Sequence, residues 1–87
     1  MDITQGRTDY VVDTYGWVLY QLGRYDKART HLEKAAVMMP SSAAVVYHLG
    51  MCLLKLGRAA EGRAHLERAF TLQPDAETAA DIRKALR

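Results

Sequence analysis

The chain has 87 residues, which is enough for one small domain and too few for a second hydrophobic core. Its apolar fraction of 49% and its charged fraction of 25% are close to the averages of globular proteins, so the composition suggests neither a disordered chain nor a membrane protein. Twelve basic and ten acidic residues leave a net charge of +2, with no Lys/Arg block that would follow a phosphate backbone. We therefore expect no nucleic-acid partner.

Residues 1–8 contain no hydrophobic stretch and predict a disordered lead-in rather than a signal peptide. No apolar run approaches the roughly 18 residues that cross a bilayer, so we expect no membrane span. This start favours a cytoplasmic location, and a periplasmic one stays open if a signal was removed upstream.

Two helices are predicted next, over residues 9–22 and 25–38. Apolar residues in both segments follow steps of three and four, which is typical of a helix with one buried face. Thr8 is the predicted N-cap of the first helix, and Gly23 ends it because glycine accepts the left-handed conformation found just past a helix terminus. Pro40 stops the second helix.

Three further helices are predicted over residues 43–56, 60–73 and 76–86. Serines at 41 and 42 precede the third helix as N-cap candidates, and a glycine at 57 ends it. Pro74 stops the fourth helix, and Asp75 is placed to cap the fifth. No segment alternates with a period of two, so the predicted fold class is all-α.

The chain repeats itself at an offset of 34 residues. Residues 9–42 and 43–76 share thirteen identical positions. A period of this length predicts stacked supersecondary units that bury their apolar faces only against one another. The identical pairs are Val11/Val45, Val12/Val46, Gly16/Gly50, Leu19/Leu53, Leu22/Leu56, Gly23/Gly57, Arg24/Arg58, Arg29/Arg63, His31/His65, Leu32/Leu66, Glu33/Glu67, Ala35/Ala69 and Pro40/Pro74.

With this period and these residues, the chain resembles the tetratricopeptide repeat (TPR) family. The family pattern is W-x2-L-G-x2-Y, then A-x3-F, then P, over a 34-residue helix-turn-helix unit. Its positions are filled here by Val12, Tyr15, Gly16, Leu19, Ala28, Leu32, Ala35 and Pro40, and then by Val46, Leu49, Gly50, Leu53, Gly62, Leu66, Ala69 and Pro74. Residues 13–25 are similar to the closing repeats of long bacterial members.

The resemblance implies one domain over residues 9–87, made of repeat 9–42, repeat 43–76 and a capping helix at 76–86. These helices would form a right-handed superhelical α-α stack that acts as a scaffold for protein–protein interaction. Gly62 departs from the family pattern, where alanine is usual. Because glycine weakens a helix interior by about 1 kcal/mol, we expect a soft fourth helix and a higher melting temperature for Gly62→Ala.

In this family the first helix of each repeat lines a concave groove. The resemblance therefore implies a partner-binding groove formed by Tyr10, Asp13, Trp17, Tyr20, Gln21, Tyr47, His48, Met51, Leu54 and Lys55, with Thr78, Asp81 and Ile82 added by the last helix. A groove rich in Trp and Tyr has the composition of a binding hot spot. A protein or peptide segment would bury apolar side chains there, with Asp13, His48 and Lys55 at the polar rim. Alternatively, Trp17 and Tyr20 pack against the neighbouring helix and complete the fold.

We expect neither catalysis, nor a cofactor, nor a metal site. Cys52 is alone in an apolar run and is interpreted as a small buried hydrophobe. The histidines at 31 and 65 have no carboxylate or cysteine at ligand spacing. Two alternatives to the scaffold stay open. The chain could be a terminal structural fragment of a longer array, or a homo-oligomerisation element that forms a homodimer through the groove or the uncovered first helix.

Overall fold

The computed structural model describes the backbone of residues 8–87 and the side chains from residue 11 onwards. This part of the chain is all-α, and it confirms the predicted fold of two helix-turn-helix repeats and a closing helix. Residues 1–7 of the predicted lead-in lie outside the described residues. Thr8, predicted as an N-cap, is itself helical. The helices are α1 (Thr8–Gln21), α2 (Tyr25–Met38), α3 (Ala43–Lys55), α4 (Ala59–Thr71) and α5 (Ala76–Leu86).

The turn inside each repeat is built in the same way. Gly23 and Gly57 both have a φ of 79°, a conformation that glycine adopts without steric cost. The N–H of the arginine that follows each glycine donates to a carbonyl five residues back, from Arg24 to Leu19 and from Arg58 to Leu53, both at 2.9 Å. This bond is the Schellman closure of a helix end, and it reverses the chain so that the second helix of each repeat packs on the first.

Side-chain caps begin α3 and α5, as predicted. The Ser42 hydroxyl accepts a hydrogen bond from the Val45 N–H at 3.4 Å. The Asp75 carboxylate accepts one from the Thr78 N–H at 2.8 Å, and this bond lowers the pKa of Asp75. Both caps satisfy backbone donors that have no partner within the helix, which fixes where each helix starts.

Glycine sets the distance between the two helices of the second repeat. A Cβ on Gly62 would lie 2.9 Å from the Gly50 carbonyl oxygen and 2.8 Å from the Leu54 Cδ2, and a Cβ on Gly50 would lie 3.1 Å from the Gly62 carbonyl oxygen. The backbones of α3 and α4 therefore approach each other at paired glycines. This geometry opposes the expectation that Gly62→Ala stabilises α4, because the added methyl group would overlap the backbone of α3.

The helices form two layers. Helix α3 packs against both α1 and α5 in one layer, whereas in the other layer no Cα atom of α2 lies within 8 Å of a Cα atom of α4. A stack of helices curves toward the side on which neighbouring helices lie closer together. The α1–α3–α5 side is therefore the inner, concave side. Two hydrophobic clusters hold the layers together: Leu19, Ala28, Leu32, Leu49, Cys52 and Leu53 in the first, and Val46, Leu66, Ala69 and Ile82 in the second.

No helix within residues 8–87 has the length and apolar character needed to cross a membrane.

Candidate functional site

The inner face brings together most of the predicted groove residues. Gln21 and Lys55 are exposed. The side chain of Tyr10 lies outside the described residues, so its predicted place in the groove stays a prediction. Seven of the predicted residues are half-buried on α1 and α3, namely Asp13, Trp17, Tyr20, Tyr47, His48, Met51 and Leu54.

Aromatic rings form a stack across α1 and α3. The Trp17 ring lies parallel to Tyr20, with centroids 4.4 Å apart, and also stacks on His48 at 4.1 Å. Tyr47 lies against the same indole at 5.9 Å with its plane tilted by 50°. Trp17 therefore packs against the neighbouring helix, as the alternative interpretation expected, while its half-buried ring still contributes to the inner face. We name Trp17, Tyr20, Tyr47 and His48 the aromatic cluster.

Asp13 of α1 pairs with His48, a member of this cluster on α3. The His48 Nδ1 donates to the Asp13 Oδ1 at 2.8 Å, and the two side chains are only 16% and 13% exposed. An ionised carboxylate only accepts, so the proton of this bond lies on the imidazole. The expectation that both residues sit at the polar rim is wrong, because each satisfies the other between α1 and α3. The pairing of Asp13 with His48 was not predicted, although both residues were expected in the groove.

The two tyrosines of the aromatic cluster stay neutral. Burial raises the pKa of Tyr20, and the neighbouring Tyr25 and Cys52 raise it further. Burial also raises the pKa of Tyr47, and the Asp81 carboxylate adds to the shift because it disfavours a second negative charge nearby. The phenol groups therefore act as neutral hydrogen-bonding tips on an apolar surface.

A shallow cavity continues the inner face from α3 to α5. Its volume is about 280 Å³, and it is lined by Tyr47, Met51, Asp81, Lys84 and Ala85. Two of these residues, Lys84 and Ala85, were not predicted. The helical spacing of α5 could have predicted them, because residues three and four positions after Asp81 lie on the same face of the helix.

One predicted groove residue, Ile82, belongs to the core instead, because it is fully buried in the second hydrophobic cluster. Leu54 is half-buried and packs partly against that cluster, as Tyr47 and Met51 also do, and its Cδ2 faces Gly62 of α4. Thr78 is half-buried at the start of α5.

The thiol of Cys52 is part of the hydrophobic core. Cys52 lies one helical turn after His48, but it is fully buried, and its Sγ–H donates to the Tyr25 carbonyl at 3.2 Å. Burial raises the pKa of this thiol, which opposes the thiolate form that a nucleophile needs. Cys52 is the small buried hydrophobe that the sequence predicts. Among the described residues, no three His, Cys, Asp or Glu side chains are grouped to hold a metal ion.

Comparison with known proteins identifies the repeat. A family model described as "Tetratricopeptide repeat" matches residues 16–77, which is most of the chain and includes the turns of both repeats. No curated protein matches the chain.

Proposed function

Because the chain belongs to the tetratricopeptide repeat family, whose repeats generally serve as protein–protein interaction modules, we propose that its inner face binds a segment of a partner protein. The family is a non-catalytic one, and we expect neither enzymatic activity nor a cofactor in this chain. The segment would be extended or helical and would lie across α1, α3 and α5.

The observation that supports this proposal is the position of Tyr47. Its ring lies against Trp17 in the aromatic cluster, and it also lines the cavity between α3 and α5. The cluster and the cavity are therefore parts of one continuous surface. A surface with aromatic residues at its centre and a concave site beside them is typical of a binding hot spot, where one anchoring side chain fills a desolvated pocket.

The cavity also indicates the chemistry of the segment. Met51 and Ala85 supply apolar surface, whereas Asp81 and Lys84 are exposed charges of opposite sign on the α5 side. A cavity of about 280 Å³ holds one or two side chains rather than a folded domain. We expect an apolar anchor between Tyr47 and Met51, flanked by polar groups that face the two charges.

Selection from a displayed library of random peptides tests the proposal. The bait is the whole chain, and selected peptides are measured again on Tyr47→Ala and on Tyr15→Ala. Tyr15 provides a matched control, because it is a tyrosine on the outer side of α1 and is 53% exposed. We expect convergent peptides with an apolar anchor, at least about tenfold weaker on Tyr47→Ala because a hot-spot residue contributes about 2 kcal/mol or more.

The control should bind within about twofold of the original chain, since its ring lies outside the inner face. Circular dichroism of both variants must show unchanged helicity. Peptides that bind equally well to Tyr47→Ala, or a library that yields no convergent sequence, would contradict the proposal.

A further inference from the structure

A second cavity lies between α4 and the end of α5. Its volume is about 290 Å³, and it is lined by Phe70, Arg83, Leu86 and Arg87. The last three follow one another by three and four residues, or by one, so they lie on one side of the chain at the end of α5. This cavity shares no residue with the cavity of the inner face, so it is a separate surface. We name it the Phe70 pocket.

The Phe70 pocket combines apolar surface with charges of one sign. Phe70 is 39% exposed and Leu86 is half-buried, so both rings and methyl groups leave apolar area open to water. The two arginines are exposed, and no acidic side chain lines the pocket. The inner-face cavity differs in this respect, because Asp81 accompanies Lys84 there.

Arg83 lies over the ring of Phe70. Its guanidinium carbon is 5.1 Å from the ring centroid, which is the distance of a cation–π contact. A basic residue in the last turn of a helix also interacts favourably with the helix dipole, but that effect needs no aromatic ring. Among the described residues, neither Arg83 nor Arg87 forms a side-chain hydrogen bond or an ion pair. Their N–H groups are therefore available to an acceptor.

The packing of the repeats does not account for Phe70. Its counterpart 34 residues earlier is Ala36, which is half-buried against the first hydrophobic cluster. Core positions such as Leu32 and Leu66 are identical in the two repeats and fully buried. Phe70 is neither repeated nor buried, and it belongs to neither hydrophobic cluster. This is typical of a contact residue rather than of a core residue.

We propose that the Phe70 pocket binds an acidic segment of a partner protein. One apolar side chain of the segment enters the pocket between Phe70 and Leu86, and neighbouring carboxylates pair with Arg83 and Arg87. Charge complementarity selects this chemistry, because a guanidinium group donates two parallel hydrogen bonds to a carboxylate and repels a basic segment. The apolar surface is recessed in a cavity of about 290 Å³. A protruding side chain reaches such a surface, whereas a membrane binds apolar groups that project into it.

An NMR titration of the whole chain tests this proposal. The probe is a synthetic peptide of one leucine between two pairs of glutamates, with its termini acetylated and amidated so that they add no charge. Because it buries a single side chain, we expect a dissociation constant of about 0.1–1 mM. Backbone amide signals should shift at positions 70, 83, 86 and 87 and not at inner-face positions. Added sodium chloride should weaken the binding, because salt screens exposed charges.

Two control peptides separate the contributions of charge and anchor. The first carries glutamines in place of the glutamates, which keeps the apolar anchor and removes the charge. The second carries serine in place of the leucine, which keeps the charge and removes the anchor. We expect each to bind at least about fivefold more weakly than the probe.

Two variants that lose the same charge test the location of the site. Arg83→Gln should weaken binding of the probe about fivefold, and it removes no buried group. Arg24→Gln is the matched control, because Arg24 is exposed in the turn of the first repeat and does not line the pocket. It should bind within about twofold of the original chain. Phe70→Ala should bind at least about tenfold more weakly, provided that its circular dichroism is unchanged.

Four results would overturn the proposal: no binding of the probe at millimolar concentration, shifts confined to another surface, equal binding of the glutamine peptide, or equal losses in Arg24→Gln and Arg83→Gln. Binding to phosphatidylglycerol vesicles without binding to the probe would assign the pocket to a lipid surface instead, and would also overturn it. Because Tyr47→Ala leaves the Phe70 pocket intact, it should bind the probe normally. Failure of the groove proposal and failure of this one are therefore distinguishable.

Discussion

Replacing Gly62 by alanine sets two effects of known size against each other. Alanine in a helix interior is favoured over glycine by about 1 kcal/mol, because glycine loses more backbone freedom on folding. The added methyl group, however, would lie 2.9 Å from the Gly50 carbonyl oxygen and 2.8 Å from the Leu54 Cδ2. Leu54 has rotamers that relieve part of this overlap, but the carbonyl belongs to the backbone of α3, so α3 and α4 must move apart.

Overpacking of this kind costs about 1–3 kcal/mol, which exceeds the gain in helix propensity. We expect Gly62→Ala to lose about 1 kcal/mol of stability. For a domain of this size, that loss lowers the melting temperature by about 4–8 °C. Differential scanning calorimetry and urea unfolding monitored by circular dichroism measure it at equilibrium.

Two control variants separate the opposing effects. Ala64→Gly, at an exposed position of α4, measures helix propensity in the same helix without a contact, and it should cost about 1 kcal/mol. Leu54→Ala in the Gly62→Ala background removes the side-chain overlap, so the double-mutant cycle should show a coupling of about 0.5 kcal/mol or more. A melting temperature that rises by several degrees in Gly62→Ala would refute the close approach of the two helices.

Three further predictions concern polar groups. Alanine replacement of Asp13 and His48, singly and together, should give a coupling of about 1 kcal/mol in urea unfolding, the size expected for one half-buried hydrogen bond; no coupling would mean that the pair does not form. The hydrogen bond from the Thr78 N–H lowers the pKa of Asp75. The stabilisation from the ionised cap is therefore present above the ordinary aspartate pKa and disappears as pH falls through the lowered value. The difference in unfolding free energy between the original chain and Asp75→Asn should shrink correspondingly in acid. Cys52 should react with a thiol reagent only after unfolding, and rapid labelling of the folded chain would contradict its burial.

The fold was predictable because its determinants are local. The glycines at 23 and 57 end the first helix of each repeat, and each occupies the left-handed conformation that the sequence implies. Capping by Ser42 and Asp75 was also predictable, because a short polar side chain before an apolar periodic run satisfies the first free N–H groups. Such signals lie within a few residues of the feature that they determine.

The features that could not be predicted from the sequence depend on distances between neighbouring helices. Gly62 looked like a weak helix position, because only the structure shows that it faces Gly50 of the neighbouring helix. Asp13 and His48 looked like separate polar positions, because their pairing requires the spacing between α1 and α3. Helix propensity and residue type are local properties, and neither determines the distance between two neighbouring helices.

The internal repeat separates the positions that build the stack from those that could give it a specific partner. Leu32 and Leu66 are identical in the two repeats and fully buried, and the same holds for Ala35 and Ala69. The groove positions that the family resemblance implies differ between the repeats in every case, through the pairs Tyr10/Ala44, Asp13/Tyr47, Thr14/His48, Trp17/Met51, Tyr20/Leu54 and Gln21/Lys55. A repeated core requires repeated residues, because each unit packs on its neighbour in the same way.

An inner face without this repetition presents a different surface on each helix. It therefore suits one asymmetric segment rather than a repeated ligand. The neighbouring helix sets the limit of this reasoning, because Val11 and Val45 are the same residue at the same repeat position, yet they are 62% and 1% exposed. Sequence alone assigns both valines to a core, and only the neighbouring helix decides which of them is buried.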